Sequence, residues 1–490
     1  MRYKKYITPF VVTILLMVSC KPDLDLVDPN QLSPDTFFKN EVQLQSAVNA
    51  IYANFQTQGL YTRHMFFMLD NMSHENAGNP QLEADKVQYL DFSFPTDHGA
   101  IFQYWDNCYR GINKANFVLD NVENTENVTD AVRNKYKGEA MFLRSLYYFF
   151  LVRRFGDVPI YTTIETDPKG RSPKSEVYQL IKDDLSFAAA NLRSKGDEAD
   201  AGRPTSGAAN AFLGKVHLYL GEYTEAKAAF AKVTGYALTD NFYDNFMEET
   251  EWNSETVFQV NFTGNFGGSS WGSTGTGTEE ITFRAQEYGV TWFNVYPADK
   301  TLDEFEDGDP RYADSFWSNG DIFDPNGEAV VAEIPRGRRA AWKKYSQYYK
   351  QANSDMQSGI NFNVIRYADV LLMMAEVENE LGNIAAAVDY LNEVRNRPST
   401  SMPNYGTAEM NAMYPVTTKA EVMDAIIHER QVELCGEQVR FDDLLRWGKA
   451  ADFLAGTGFT TGKSELFPIP QNEIDRNEVL SNADQNPGYK

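Results

Sequence analysis

Glu429, Glu433 and Glu437 stand four residues apart in "HERQVELCGEQVRFDDLLRWG" (428–448), with Arg430 and Arg440 among them. Carboxylates could hydrolyse a glycosidic bond, but that chemistry uses a pair facing across a cleft, with one of them desolvated. Four-residue spacing instead puts the three acids on one helical face, where the arginines or a neighbouring helix hold them ionised. The pattern predicts a salt-bridged structural helix. Gly268-Ser269-Ser270-Trp271-Gly272 fits G-x-S-x-G, yet a nucleophile elbow needs a helix directly after the serine. Here "STGTGT" follows, which is not helical. The five histidines form no HExxH, and a His64, Asp70 and His74 cluster has no further ligand to support it. "DEFEDGDPRY" (303–312) is acidic around a glycine but misses the calcium-loop register. It reads as a turn. No cofactor is expected, and an incidental calcium ion there is left open.

These groups need elements to position them. Apolar residues make up 42% of the 490 and charged residues 23%, enough for a packed core. The net charge of −24 excludes nucleic acid as a partner, because phosphate binding needs a basic stripe. At the N-terminus, Arg2, Lys4 and Lys5 precede the apolar run "ITPFVVTILLMVS", which stops at Cys20. The run is too short for a membrane span and reads as a lipoprotein signal peptide over 1–19, with Cys20 as the lipidated residue. Met17 departs mildly from the usual lipobox. Removing the leader takes −24 to −27. Residues 20–36 are then a polar lipidated tether. Cys108 and Cys435 remain, and two buried free thiols are expected of them.

Helical periodicity marks 40–56, 101–122, 130–155 and 175–192, with an irregular stretch at 57–100. Two segments share one spacing: Leu213, Gly214, Gly221, Tyr223, Ala226, Phe230, Val233, and Met374, Ala375, Gly382, Ile384, Ala387, Leu391, Val394. Small residues where two helices touch, with a glycine turn between them, make the tetratricopeptide pattern. The organisation expected is an N-terminal helical part (37–235), a loop-rich insertion (236–365) in which "ETVFQVNF" (255–262) alternates like a strand, and a C-terminal helical part (366–490).

The 429–447 stretch resembles the ER-x-x-EL-x-x-E-x-x-R-x-x-DL-x-RW signature of the SusD/RagB family, surface glycan-binding lipoproteins of Bacteroidetes. Glu429, Arg430, Glu433, Leu434, Glu437, Arg440, Asp443, Leu444, Arg446 and Trp447 match it, while Gly436 and Gln438 depart from the usual aromatic and glycine. "WDNCYRGINKAN" (105–116), "RSLYYFFLVRRFGDVPI" (144–160), "IRYADVLLMMAEVENELG" (365–382), "LFPIPQNEID" and "QNPGY" resemble further family segments. The resemblance implies a mainly α fold of four tetratricopeptide-like helix pairs carrying an irregular loop-rich region with a few short strands. It implies a protein that is not an enzyme, lipid-anchored on the outer membrane and facing the cell exterior. Such a protein captures an oligo- or polysaccharide and delivers it to a SusC-like TonB-dependent transporter.

The family's sugar site is built from the early irregular segment and the mid-chain insertion, which the signature motifs do not cover. Candidates there come from chemistry. Indole and phenol rings stack on sugar C–H faces, and amides bond the hydroxyls. Trp271, Trp292, Tyr288, Tyr296 and Trp317 are the ring candidates, with Asn71, Asn79 and Gln81 from the early segment. Trp105 and Trp447 are expected in the core. Three other readings compete: a peptide ligand on the same fold, a secreted glycoside hydrolase, and a scaffold with no small ligand.

Overall fold

The computed structural model describes residues 37–197, 201–264, 280–290, 292–323, 330–350 and 358–489. Cys20 and Trp271 lie outside them. The N-terminal part runs α1 (Glu41–Ala53), α2 (His64–Met72), β1 (Asn76–Gly78), α3 (Ala84–Asp91), α4 (Gly99–Asn121), α5 (Asp130–Phe155), α6 (Lys174–Asn191), α7 (Ser206–Tyr219) and α8 (Tyr223–Phe230). The middle holds β2 (Thr256–Val260), α9 (Arg284–Tyr288), β3 (Val295–Pro297), α10 (Asp299–Asp303), α11 (Pro310–Ser315), β4 (Phe316–Ser318), β5 (Ile322–Phe323), β6 (Val330–Val331), β7 (Ala340–Trp342) and β8 (Phe362–Arg366). Helices return as α12 (Tyr367–Glu380), α13 (Ile384–Arg395), α14 (Lys419–Leu434), α15 (Arg440–Arg446) and α16 (Ala450–Phe453). The architecture is mainly α, as the sequence predicts.

Local chemistry explains where these helices start and stop. Asn40, Thr129 and Thr205 accept backbone N–H bonds at the starts of α1, α5 and α7, and Thr418 with Glu421 closes a capping box on α14. In α4 the buried residues Ile101, Tyr104, Trp105, Cys108, Ile112 and Ala115 recur at three and four, giving one apolar stripe. α5 is buried almost throughout from Tyr136 onward and is the centre of the helical layer. The two pairs read from spacing are both present. α7–α8 and α12–α13 are joined by three-residue turns whose glycines, Gly221 and Gly382, take φ of +73° and +84°.

A Cβ on Gly214 would lie 2.6 Å from the Phe230 ring. Gly214→Ala should therefore cost about 1–3 kcal/mol through overpacking of α7 on α8. A urea unfolding midpoint reads this, and an unchanged midpoint would contradict the close approach.

Two expectations need correction. The irregular stretch 57–100 contains α2 and α3. All nine residues of α2 are buried, so it carries no polar face from which a helical period could be read. β2 is likewise buried at every position rather than on alternate residues. It pairs antiparallel with β8, from Thr256 opposite Arg366 to Val260 opposite Phe362. The insertion thus leaves and rejoins the helical part through one ladder. Within it, β4 pairs β7 and β5 pairs β6, while β3 pairs β1 of the N-terminal part. Cys108 and Cys435 are both free and buried.

Candidate functional site

The signature acids form a buried frame under the insertion. Glu433 accepts from Arg366 and Arg397 at 2.6 Å each and from Arg311 at 3.0 Å. Glu429 takes Arg311 at 2.5 Å and Arg395 at 3.0 Å. Glu255, just before β2, pairs with Arg366 and Arg397 at 2.6 and 2.5 Å. Four arginines, Arg311 of α11, Arg366 of β8, Arg395 at the end of α13 and Arg397 just beyond it, are thereby locked to α14. The helix stops at Leu434, so Glu437 does not share its face. It reaches Arg366 and Lys344 from the following turn. Nor does Arg430 serve the glutamates; it pairs with Asp369 and Asp443.

Burial opposes ionisation of Glu255, yet Arg397 and Arg366 outweigh it and hold the carboxyl down at about 2. For Glu306, burial is outweighed in the same way by His428 and Arg395, again to about 2. Carboxyls held below their ordinary 4.5 stabilise the fold above that value. That stability is lost as pH falls from about 4.5 towards 2. Circular dichroism melting points should drop steeply across this window. A flat profile down to pH 2 would contradict the ionised frame.

On the surface above the frame, a tight turn presents Trp292. Phe293 N–H donates to Gly289 O at 2.8 Å, Asn294 N–H donates to Glu287 O at 3.0 Å, and Phe293 takes φ +49°. The turn is anchored twice. Asn294 Nδ2 donates to Glu287 Oε2 at 2.5 Å, and Arg63 Nε donates to Glu287 Oε1 at 2.6 Å. From the β1 side, Asn79 Nδ2 donates to Phe293 O at 2.7 Å, and Gln81 Nε2 bonds the carbonyls of Trp292 and Phe293 at 3.0 and 2.7 Å. Trp292 remains 41% exposed. Beside it in β3, half-buried Tyr296 lies under the Arg338 guanidinium, 4.2 Å from the ring centroid. Gln81, Trp292, Tyr296 and Arg338 thus form a shallow aromatic and amide surface on a fixed backbone. The acids nearest this surface are engaged: Glu287 is buried on Arg63 and Asn294, and Glu83 pairs with Arg63 and Lys86.

Comparison with known proteins then places the chain. The SusD family model matches residues 254–489, and a second model, described as starch-binding associating with outer membrane, matches residues 24–218. The chain belongs to the SusD family. A SusD-like protein of Formosa agariphila, P2, is 27% identical over 99% of this chain and 100% of its own length. The starch-binding protein SusD of Bacteroides thetaiotaomicron is 24% identical over 77% of each. A solved structure described as a laminarin-binding SusD-like protein superposes with a TM-score of 0.78 at 28% identity, covering 92% of this chain and 100% of that one.

On this SusD framework the candidate residues separate into two groups. Trp292, Gln81 and Tyr296 reach the surface. Asn79 is 3% exposed and supports the turn from beneath. Tyr288, expected to contact ligand, is instead 1% exposed. Its ring sits 4.1 Å from the Arg284 guanidinium, and its hydroxyl bonds Asn76 and Asp70 at 2.8 and 3.0 Å. Trp317 is also corrected: β4 turns it inward against Tyr348, beneath Lys343. Asn71 is fully buried, donating to Lys86 O at 3.0 Å and accepting from Asn76 at 2.9 Å. Trp105 is in the core and Trp447 is half-buried, donating to Glu376. Sequence reasoning missed Arg338. The only signal for it was the basic run Arg336-Gly337-Arg338-Arg339 in an acidic chain.

In the acidic "DEFEDGDPRY" segment, Asp303 pairs with Arg339, Glu306 with Arg395 and Asp309 with Arg311.

Proposed function

We propose that this protein is a non-catalytic cell-surface subunit that captures a glycan on the Trp292 surface and delivers it to a SusC-like TonB-dependent transporter. Lipidation at Cys20 would hold it on the outer face of the outer membrane, with the acyl chains supplying the membrane affinity. The observation that carries this reading is the exposed indole on a doubly anchored turn, flanked by Tyr296, Gln81 and Arg338. Rings offer faces for sugar C–H groups, and the amide and guanidinium offer donors for hydroxyls. A shallow surface suits an extended polymer, which cannot enter an enclosed pocket.

The family supports the same reading. Its relatives are described as binding starch or laminarin, and those two glucans are the first probes to use. Binding rather than hydrolysis fits the burial of the Glu287 carboxyl on Arg63 and Asn294, since an acid/base residue needs an accessible carboxyl.

Native affinity electrophoresis of residues 21–490 through gels carrying laminarin, starch and a panel of plant, algal and fungal polysaccharides tests it. Retardation by at least one of them is expected. Migration unaffected by every one would overturn the glycan reading in favour of a peptide ligand.

A further inference from the structure

Arg440 belongs to the signature stretch but stands outside its ion-pair frame. The other buried arginines of the described residues, from Arg144 on Asp184 to Arg430 on Asp369, each meet a carboxylate. Arg440, 6% exposed, meets none; its guanidinium donates to the Ile427 carbonyl at 3.3 Å and lies against the rings of Phe453 and Trp447. A buried cation without a counter-charge is costly unless an anion arrives. Burial disfavours the charge on Arg440, and outweighs the favourable fields of Glu75, Asp443 and Glu304, none of which is within ion-pair distance.

The guanidinium lines a cavity of about 500 Å³ between the end of α2 and α10, α14, α15 and α16. Ser73, Glu75, Thr301 and Gln431 line the same cavity, as do Lys300 and Phe453. Phe453 is 38% exposed, so the cavity carries an accessible ring face. Glu75 is 2% exposed, and its carboxyl bonds Gln431 Nε2 at 3.2 Å and Gly436 N–H at 3.3 Å. Burial, then Asp70 of α2, push the Glu75 carboxyl up to about 8, against Arg440 and Lys344. Near neutral pH it is therefore protonated and can donate. Three other acids line the cavity: Glu304 is bonded to His428, Asp303 to Arg339, and Asp452 stands on the α16 wall. The walls thus carry the Arg440 and Lys300 cations among these acids, together with the donors of Ser73, Thr301 and Gln431.

We propose that this cavity is a second saccharide subsite, which takes the carboxylate of a uronate residue on Arg440 with the sugar ring against Phe453. The choice of a sugar rests on the glycan reading above. It is favoured by the accessible ring and by the hydroxyl and amide groups of Ser73, Thr301 and Gln431 on the walls.

Calorimetric titration with three probes tests it: methyl glucuronide, methyl glucoside, and N-acetylglutamate as a carboxylate without a sugar ring. At pH 6.5 the glucuronide should bind at least tenfold tighter than either other probe. Arg440→Gln should lose at least tenfold, and Phe453→Ala, at an exposed position, several-fold with the fold intact. Raising the pH from 6.5 to 9 should weaken binding to the wild type, because Glu75 ionises beside the ligand, and should leave Glu75→Gln unchanged. A glucuronide bound no tighter than the glucoside overturns the proposal. So does N-acetylglutamate binding as tightly as the glucuronide, or an identical pH response in wild type and Glu75→Gln. Trp292→Ala should leave glucuronide affinity intact, so failure at this cavity and failure at the Trp292 surface are separate results.

Discussion

Glu433→Ala should destabilise the protein by about 3–5 kcal/mol, the range for removing one partner from a buried ion pair. Glu433 is the acceptor shared by Arg311, Arg366 and Arg397, all buried. Without it, Glu255 and Glu437 must hold Arg366, and Glu255 alone must hold Arg397. Like-charge repulsion among the three guanidinium groups is then less compensated. These arginines come from α11, β8 and the turn after α13, so the damage reaches the joint between insertion and helices. Thermal unfolding should show a large fall in melting temperature, or no soluble protein at all. Glu433→Gln should be nearly as damaging, because the missing quantity is charge rather than volume. A loss under 1 kcal/mol for either variant would mean that the frame does not carry the fold.

Trp292→Ala should leave the fold intact and weaken glycan binding by about 2 kcal/mol, the level of an aromatic hot spot, or roughly 30-fold. The indole is exposed, and its turn is held through backbone carbonyls and Asn294. Truncation therefore removes the stacking face without releasing its support. Tyr288→Phe provides the contrast. It removes a hydroxyl bonded to Asp70 and Asn76 in the interior, so it should lower stability and leave affinity unchanged. Isothermal titration with whichever polysaccharide is retained on native gels, run beside a melting curve, separates the two effects. Equal affinity of Trp292→Ala and wild type would remove Trp292 from the site.

Much of the frame was legible in the sequence because it rests on spacing. Amphipathic stripes such as that of α4 print a period of three and four, and the paired Gly214/Gly221 and Ala375/Gly382 patterns mark close helix contact and a tight turn. The structural role of Glu429 and Glu433 was legible too, since three acids among arginines argue for charge pairing. Their partners were not. Arg311, Arg366 and Arg397 lie 36 to 122 positions away, and only the tertiary fold brings them together. α2 escaped because a helix buried on every side has no polar face to print.

The candidate surface was half legible for a related reason. Tyr288, Trp292 and Tyr296 fall within nine residues and have the same chemistry. What separates them is direction. Tyr288 ends a helix whose residues are all buried, whereas Trp292 rides the turn between Gly289 and Asn294. Asn79 and Gln81 were chosen for their amides and do use them. Asn79 spends its amide on the turn's backbone, and Gln81 does so while remaining exposed.

The central claim is that glycan lies on the surface formed by Gln81, Trp292, Tyr296 and Arg338. Hydrogen–deuterium exchange, with and without a saturating neutral oligosaccharide cut from the retained polysaccharide, tests this most directly. The account predicts slowed exchange in peptides covering 76–83, 289–297 and 336–340, with the rest of the helical part unchanged and the oligosaccharide recovered at its original length. Protection confined to other segments, or an oligosaccharide recovered shortened, would contradict it.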